Sequence, residues 1–387
     1  MVRRKRIAFI RPKAWPLANS IVDGVIQDQF PEHNVDVIDV SAMVRQRPTI
    51  ILVNSILTVL LYGKDIILRR KKFRLAFWRT PYIFREIRKL IRGKVANGEY
   101  SFSFQMQSLF DGSTPGIPHF VYTDHTHLEN RHYEASKKNL YSSKWIAVES
   151  EIYQNADLIF VRSSNVKRSM LEDYDIGAQK VVLAYAGSNV KVAQRKTNDI
   201  DYTQSNILFV GLDWQRKGGP DLVKAFQLVL EKCPQARLTI VGAKPDLHIS
   251  NCEVIGPAKP QELDLYYQRA SVFCLPTHLE PFGMSFIEAM TAHLPIVATR
   301  IGAIPDFVEE GKNGFLVSPG DIQGMADALL ALLKNPQMCR RFGEHSFQLT
   351  KERYSWKAVG EIFRQNIVNV LSVAEQENEE WQSYLIS

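Results

Sequence analysis

Glu280 and Glu288 close the ends of the run Glu280-Pro281-Phe282-Gly283-Met284-Ser285-Phe286-Ile287-Glu288. Before it, the apolar residues 271–275 end at Pro276 and read as a buried strand. After it, Phe286, Ile287 and Met290 share a helical face, so a helix is expected to begin near Phe282 or Gly283. A strand, a short loop and a helix N-terminus place several unpaired backbone N–H groups at the strand's carboxyl end. The helix dipole adds roughly half a positive charge there, which suits a diphosphate. Gly283 permits close backbone approach. Glu280 lies in the loop and Glu288 is expected about two turns into the helix. Carboxylates at both ends can take hydroxyls while N–H groups between them take phosphates, the arrangement a sugar nucleotide requires. The alternative is a capping Glu280 and a solvated Glu288.

A second unit of this kind lies upstream. Strand 206–210 leads into Gly211-Leu212-Asp213-Trp214-Gln215-Arg216-Lys217-Gly218-Gly219, and Pro220 opens a helix with the apolar stripe Leu222, Val223, Phe226, Val229 and Leu230. Around these units the whole chain alternates strands and helices. Strands are expected at 6–10, 35–40, 101–109, 118–123, 157–161 and 180–185, and again at 237–241 and 295–299. Helices are expected at 17–30, 145–155, 165–174, 260–270, 324–333 and 356–385. The polar stretch 194–205 reads as a linker between two α/β domains. The turn after the first strand is Arg11-Pro12-Lys13-Ala14-Trp15-Pro16, without the G-x-G-x-x-G of a simple dehydrogenase. The two D-x-D matches, at Asp173–Asp175 and Asp199–Asp201, fall in a helix end and in the linker and read as chance.

The 387 residues suffice for two cores, and 45% hydrophobic with 23% charged is ordinary for a globular protein. No signal peptide and no membrane-spanning run are expected. Cys233, Cys252, Cys274 and Cys339 are widely spaced and read as reduced thiols of a cytoplasmic protein. The net charge of +7 is local: twelve Lys or Arg between Lys64 and Lys94 face only Asp65 and Glu86. This basic segment follows the apolar stretch 49–62. It carries Arg69, Arg70, Lys71, Lys72 and Arg74, then aromatics such as Trp78. An apolar helix followed by a basic, aromatic one resembles an interfacial membrane-docking surface, each basic residue contributing roughly 1 kcal/mol near anionic lipid. A solvated basic helix beside a buried one, or a nucleic-acid surface, are the other readings. His125 closes another strand within Asp124-His125-Thr126-His127. A metal set of Asp124, His125 and His127 would need a further ligand from elsewhere.

The succession strand-G-x5-K-G, E-P-F-G-x4-E-A-M, Pro295-Ile296-Val297-Ala298-Thr299, Gly302, Pro305 and Gly311-Lys312-Asn313-Gly314-Phe315-Leu316-Val317 resembles the family-4 retaining glycosyltransferases of the GT-B fold. The likeness is good over 154–354 and rests on α/β order alone before residue 120. It implies two Rossmann-like α/β domains facing each other across a cleft: an acceptor-side domain at 1–192 and a nucleotide-sugar domain at 193–355. A helical segment at 356–387 would return to the first domain. It also implies roles. Gly211 and Lys217 would hold the donor diphosphate. Arg216 would stand in for the Arg that members often carry after that glycine, where this chain has Leu212. Glu280 would bind donor-sugar hydroxyls, Glu288 ribose hydroxyls, and the N–H groups of Phe282, Gly283 and Met284 the phosphates. His125 would lie near the reacting sugar. The family's N-terminal glycine-rich loop is missing at residues 11–16, which puts the acceptor-side contacts apart from the pattern.

The implied reaction moves a sugar from a nucleotide diphosphate, expected to be UDP, with retention, by front-face attack in which the leaving phosphate helps remove the acceptor proton. No cofactor or metal is required where cations neutralise the diphosphate. Expected partners are the donor, a lipid or saccharide acceptor and an anionic membrane surface, with no nucleic acid. The expected location is the inner membrane face. A soluble transferase acting on an oligosaccharide or small molecule is the alternative. A related epimerase or phosphorylase would reveal itself by turnover without acceptor or by a need for phosphate.

Overall fold

The structure, a computed structural model, describes residues 5–13, 18–133, 140–190 and 200–386. Ala14, Trp15 and Pro16 of the first turn and residues 194–199 of the expected linker lie outside the described residues. The chain divides into two compact units, Met1–Tyr185 with Val359–Ser387, and Ala186–Ala358.

The first unit holds a six-stranded parallel sheet of β1 (Lys5–Arg11), β2 (His33–Asp39), β3 (Tyr100–Met106), β4 (His119–Thr123), β5 (Leu158–Val161) and β6 (Val181–Leu183), in the order β2-β1-β3-β4-β5-β6. Parallel strands are covered on both faces, and their near-continuous apolar runs follow from that. On one face Ala8, Ile10 and Ile38 pack with Ile83, Ile87, Ile91 and Val95 of helix Pro81–Val95. On the other, alternate strand positions supply an aromatic layer: Phe9 stacks on Phe104, and Phe104 on Phe160. The final helix, Trp356–Ile386, adds Phe363 to this layer, its ring 5.2 Å from Phe104, 5.0 Å from Tyr122 and 4.9 Å from Phe160. Val359, Phe363 and Ile367 recur every fourth residue and are fully buried. That stripe is why the chain's last segment belongs to the first unit.

The second unit has β7 (Asn206–Gly211), β8 (Arg237–Gly242), β9 (Cys252–Gly256), β10 (Val272–Leu275), β11 (Ile296–Thr299) and β12 (Gly314–Val317), all parallel, in the order β12-β11-β10-β7-β8-β9. This is the doubly wound order in which the winding reverses between β7 and β10. The four cysteines are free thiols.

Two expectations change. The apolar helix runs Pro48–Ile67, longer than 49–62 because residues 63–67 continue it, and by length and composition it could cross a membrane. Its buried face is polar, however: Asn54, Thr58 and Tyr62 lie inward with Ile50, while Leu52, Ile56, Val59 and Leu60 are exposed. Asn54 Nδ2 donates to the Phe77 carbonyl at 2.7 Å, Tyr62 Oη to the Arg79 carbonyl at 2.7 Å, and Thr80 Oγ1 to Asn54 Oδ1. The helix is thus tied along one side to its own domain. Phe363→Ala should destabilise the first unit by about 3–5 kcal/mol in urea unfolding. A loss below about 1 kcal/mol would mean that the final helix is not docked there.

Candidate functional site

In the second unit the Lys217 loop follows β7 and the Glu280 loop follows β10, the two strands that flank the reversal of winding. Both loops therefore emerge at the switch point where such sheets bind ligands. Hydrogen bonds lace them together. The Arg216 carbonyl accepts from the His278 amide at 2.8 Å and from Thr277 Oγ1 at 3.1 Å, and Arg216 Nη1 donates to the Leu279 carbonyl at 2.6 Å. Gly218 has φ +73°, and a Cβ there would stand 1.8 Å from the Pro276 carbonyl oxygen, so only glycine lets the loops touch.

Lys217 Nζ and Glu280 Oε2 form an ion pair, and both residues are buried. Burial of one charge alone would be costly, and each is the other's counter-charge. The stem of Lys217 lies against Gly211, where a Cβ would be 3.1 Å from Lys217 Cγ. Gly283 (φ +107°) caps helix Met284–Thr291, whose first N–H groups have no intrahelical carbonyl to meet. Phe282 is buried edge-on to Phe307 and pins the loop. Because the helix starts at Met284, Glu288 sits little more than one turn in, not two. It is buried, accepts a hydrogen bond from Tyr267 Oη at 2.8 Å, and burial pushes its carboxyl up to about 7, against the opposing effects of Tyr267 and Lys217. Arg216 braces the loops through Leu279 and lies 3.5 Å from Asp213. Leu212 is 79% exposed. Thr277 and Tyr267, absent from the sequence reading, hold the Glu280 loop and Glu288 respectively.

In the first unit His125 follows β4 and lines a cavity of about 320 Å³ with Arg79, Gln107, Ser108 and Asn130. Asn130 Nδ2 donates to His125 Nε2 at 2.8 Å and to the His127 carbonyl at 2.9 Å. The ring proton therefore sits on Nδ1, which is enclosed and has no partner among the described residues. Burial lowers the His125 pKa, opposed by Asp124 and Asn130. His127 Nε2 accepts from the Tyr141 amide at 2.7 Å, and burial pushes that imidazole down to about 3. Both accepting nitrogens are taken, which removes the reading of Asp124, His125 and His127 as a metal set. Glu149 closes the cavity floor, bonded to Tyr153, Tyr174 and the His127 amide, and burial raises its carboxyl to about 7.

The basic patch is narrower than expected. Arg69, Arg70, Lys72 and Arg74 are exposed among Ile67, Leu68, Phe73 and Leu75. Lys71 instead pairs with Asp65, its side chain only 8% exposed, and Trp78 is half-buried against the core. Farther on, Arg88 binds Asp111 and Glu151, at 2.7 and 2.6 Å, and Arg92 the Ser113 carbonyl, so that part is structural.

A family profile described as "Glycosyltransferase Family 4" matches residues 31–191, and one described as "Glycosyl transferases group 1" matches 190–348. The chain belongs to glycosyltransferase family 4. Among relatives of this family, the D-inositol 3-phosphate glycosyltransferase of Corynebacterium aurimucosum is 26% identical over 252 residues, 58% of this chain and 60% of the relative. That of Corynebacterium urealyticum is 30% identical, over 56% of this chain and 58% of the relative. The chain thus spans about 60% of the length of the curated relatives it matches. Two solved structures share the two-domain GT-B fold. Sucrose-phosphate synthase from Thermosynechococcus elongatus has TM-score 0.68 at 16% identity, over 96% of this chain and all of that one. Anabaena HepE in complex with UDP has TM-score 0.63 at 15% identity, over 95% and 100%.

The raised Glu288 carboxyl has a thermodynamic consequence. Between its unfolded value near 4.5 and about 7 the folded form binds the extra proton, so stability falls as pH rises through that window. Urea unfolding of wild type should lose up to about 3 kcal/mol more between pH 5 and 7.5 than Glu288→Gln. Equal slopes would show that Glu288 is ionised in the fold throughout.

Proposed function

We propose that this chain transfers a sugar, with retention, from a nucleotide diphosphate sugar, a UDP-sugar, to a lipid or lipid-linked acceptor at the inner membrane face. The observation that carries the donor half is the pairing of Lys217 with Glu280 at the switch point, beside the Met284 helix N-terminus and Glu288. The likeness to HepE, a protein solved with UDP, supports the choice of base.

As the glycosyl–phosphate bond breaks, negative charge collects on the departing diphosphate and positive charge on the sugar. Lys217, Arg216 and the first N–H groups of the Met284 helix supply fixed positive potential for the former, so this reading calls for no metal and no cofactor. Glu280 lies against Lys217, on the side where the sugar would be. A phosphate oxygen entering the site takes up further Lys217 donors, of which the carboxylate uses one. Glu288, steadied by Tyr267, receives the ribose hydroxyls. His125 keeps the role that the family resemblance implies, that of the first unit's catalytic residue.

The membrane half rests on the helix Pro48–Ile67. A helix with polar residues inward and leucine, isoleucine and valine outward has its amphipathicity reversed for water. Exposed Arg69, Arg70, Lys72 and Arg74 follow directly, as an anionic interface requires. Two measurements test the two halves. Glu280→Gln should abolish label transfer from UDP-sugar into a lipid extract with the fold retained. Near-normal transfer would remove Glu280 from the site. Changing Arg69, Arg70, Lys72 and Arg74 to Glu should weaken binding to phosphatidylglycerol vesicles by on the order of 100-fold or more. Unchanged vesicle binding would favour a soluble acceptor.

A further inference from the structure

The apolar helix and the His125 cavity are joined by one short segment. The inward polar side chains of Pro48–Ile67 bind the Phe77 carbonyl, the Arg79 carbonyl and the Thr80 hydroxyl. Arg79 projects from that segment into the cavity that His125 lines. Among the described residues no carboxylate lies within ion-pair distance of Arg79. Its Nη1 bonds the Leu75 carbonyl, at 2.9 Å, its guanidinium lies 4.8 Å from the centre of the Tyr141 ring and also engages the Tyr141 hydroxyl, and the Glu149 carboxyl lines the same cavity. Leu75 belongs to both surfaces: it lines the cavity and is 49% exposed beside the basic patch.

We infer that this cavity receives the phosphate-bearing headgroup of a membrane-resident acceptor, which enters past Leu75 and is held by Arg79 beside His125. The inference rests on the membrane reading above and gives the acceptor its chemistry. Two physical arguments carry it. A guanidinium has five donors, and with no carboxylate at ion-pair distance Arg79 keeps some of them for a phosphate beyond those that meet Leu75 and Tyr141. A volume of about 320 Å³ is at the lower end for ligand sites and takes a headgroup, not acyl chains, so the chains stay in the bilayer against the exposed leucines. Because Asn54 and Tyr62 fix the backbone that carries Arg79, seating the helix on lipid also sets the height at which the headgroup meets His125.

The test follows the ring nitrogens of His125 by NMR in the full chain labelled at its nine histidines, with His125 assigned through His125→Gln. The probes are glycerol 1-phosphate and monomeric dihexanoylphosphatidylglycerol. Both should shift the His125 signals, the lipid at lower concentration, and Arg79→Gln should weaken each by about tenfold or more while leaving the other histidine signals in place. A response to glycerol 1-phosphate alone would overturn entry from the membrane. A response retained in Arg79→Gln would overturn the role of Arg79. No response to either probe, in protein that still binds phosphatidylglycerol vesicles and UDP-sugar, would overturn the cavity assignment alone. Loss of vesicle binding itself would instead remove the membrane reading on which it stands.

Discussion

The buried ion pair between Lys217 and Glu280 is the constraint that the second unit is arranged to satisfy. Two charges withdrawn from water each need the other as counter-charge in a fixed geometry. Each sits in a loop leaving a different strand, so their pairing requires those strands to be neighbours and the loops to touch. The doubly wound order makes β7 and β10 neighbours at the point where winding reverses. Gly218 then lets one loop approach the Pro276 carbonyl, and Thr277 and Arg216 lock the other against it. What results is a rigid cation and a rigid carboxylate beside a helix N-terminus: electrostatics set before any ligand arrives, which is what bond cleavage to a charged leaving group requires.

The first unit solves a different problem. Its helix Pro48–Ile67 turns a polar stripe toward the protein and an apolar stripe outward, which in water alone would be unfavourable. The inward hydrogen bonds explain why it holds this orientation: Asn54 and Tyr62 find partners in the segment that carries Arg79, while Thr58 bonds the Asn54 carbonyl of its own helix, and a rotated helix would strand the first two. The exposed stripe and the four exposed basic residues then form one surface, contiguous with the His125 cavity through Leu75. Surface and cavity are consequences of the same side-chain network.

Much of this was legible in the sequence because it is periodic or local. Strand runs, the apolar stripe of the helix after Pro220 and the glycine-rich spacings around Lys217 and Glu280 identified both loops and the fold. Pairings between distant residues were not legible. Nothing in the order of residues links Tyr267 to Glu288 or Asn130 to His125, since those bonds depend on how loops fold back. Glu288 lies shallower in its helix than its spacing suggests, because the positive φ of Gly283 delays the helix to Met284. The basic run looked uniform in sequence, yet Lys71 and Arg88 are spent on Asp65, Asp111 and Glu151 while Arg69, Arg70, Lys72 and Arg74 are not. Composition counts charges, and only packing shows which of them are already paired. The strands β9 and β12, five and four residues long, were too short for an alternation to show.

Isothermal titration of UDP-, GDP-, ADP- and dTDP-sugars, without added metal, tests the donor site most directly when wild type is compared with Lys217→Met/Glu280→Gln. The double variant replaces the ion pair by neutral groups of similar size, so it keeps the fold and removes only the charges. The account predicts that UDP-sugars bind wild type and that the double variant loses at least about 1.4 kcal/mol, a factor of about ten. Equal affinity in the two proteins, or no binding of any nucleotide sugar to wild type, would contradict it.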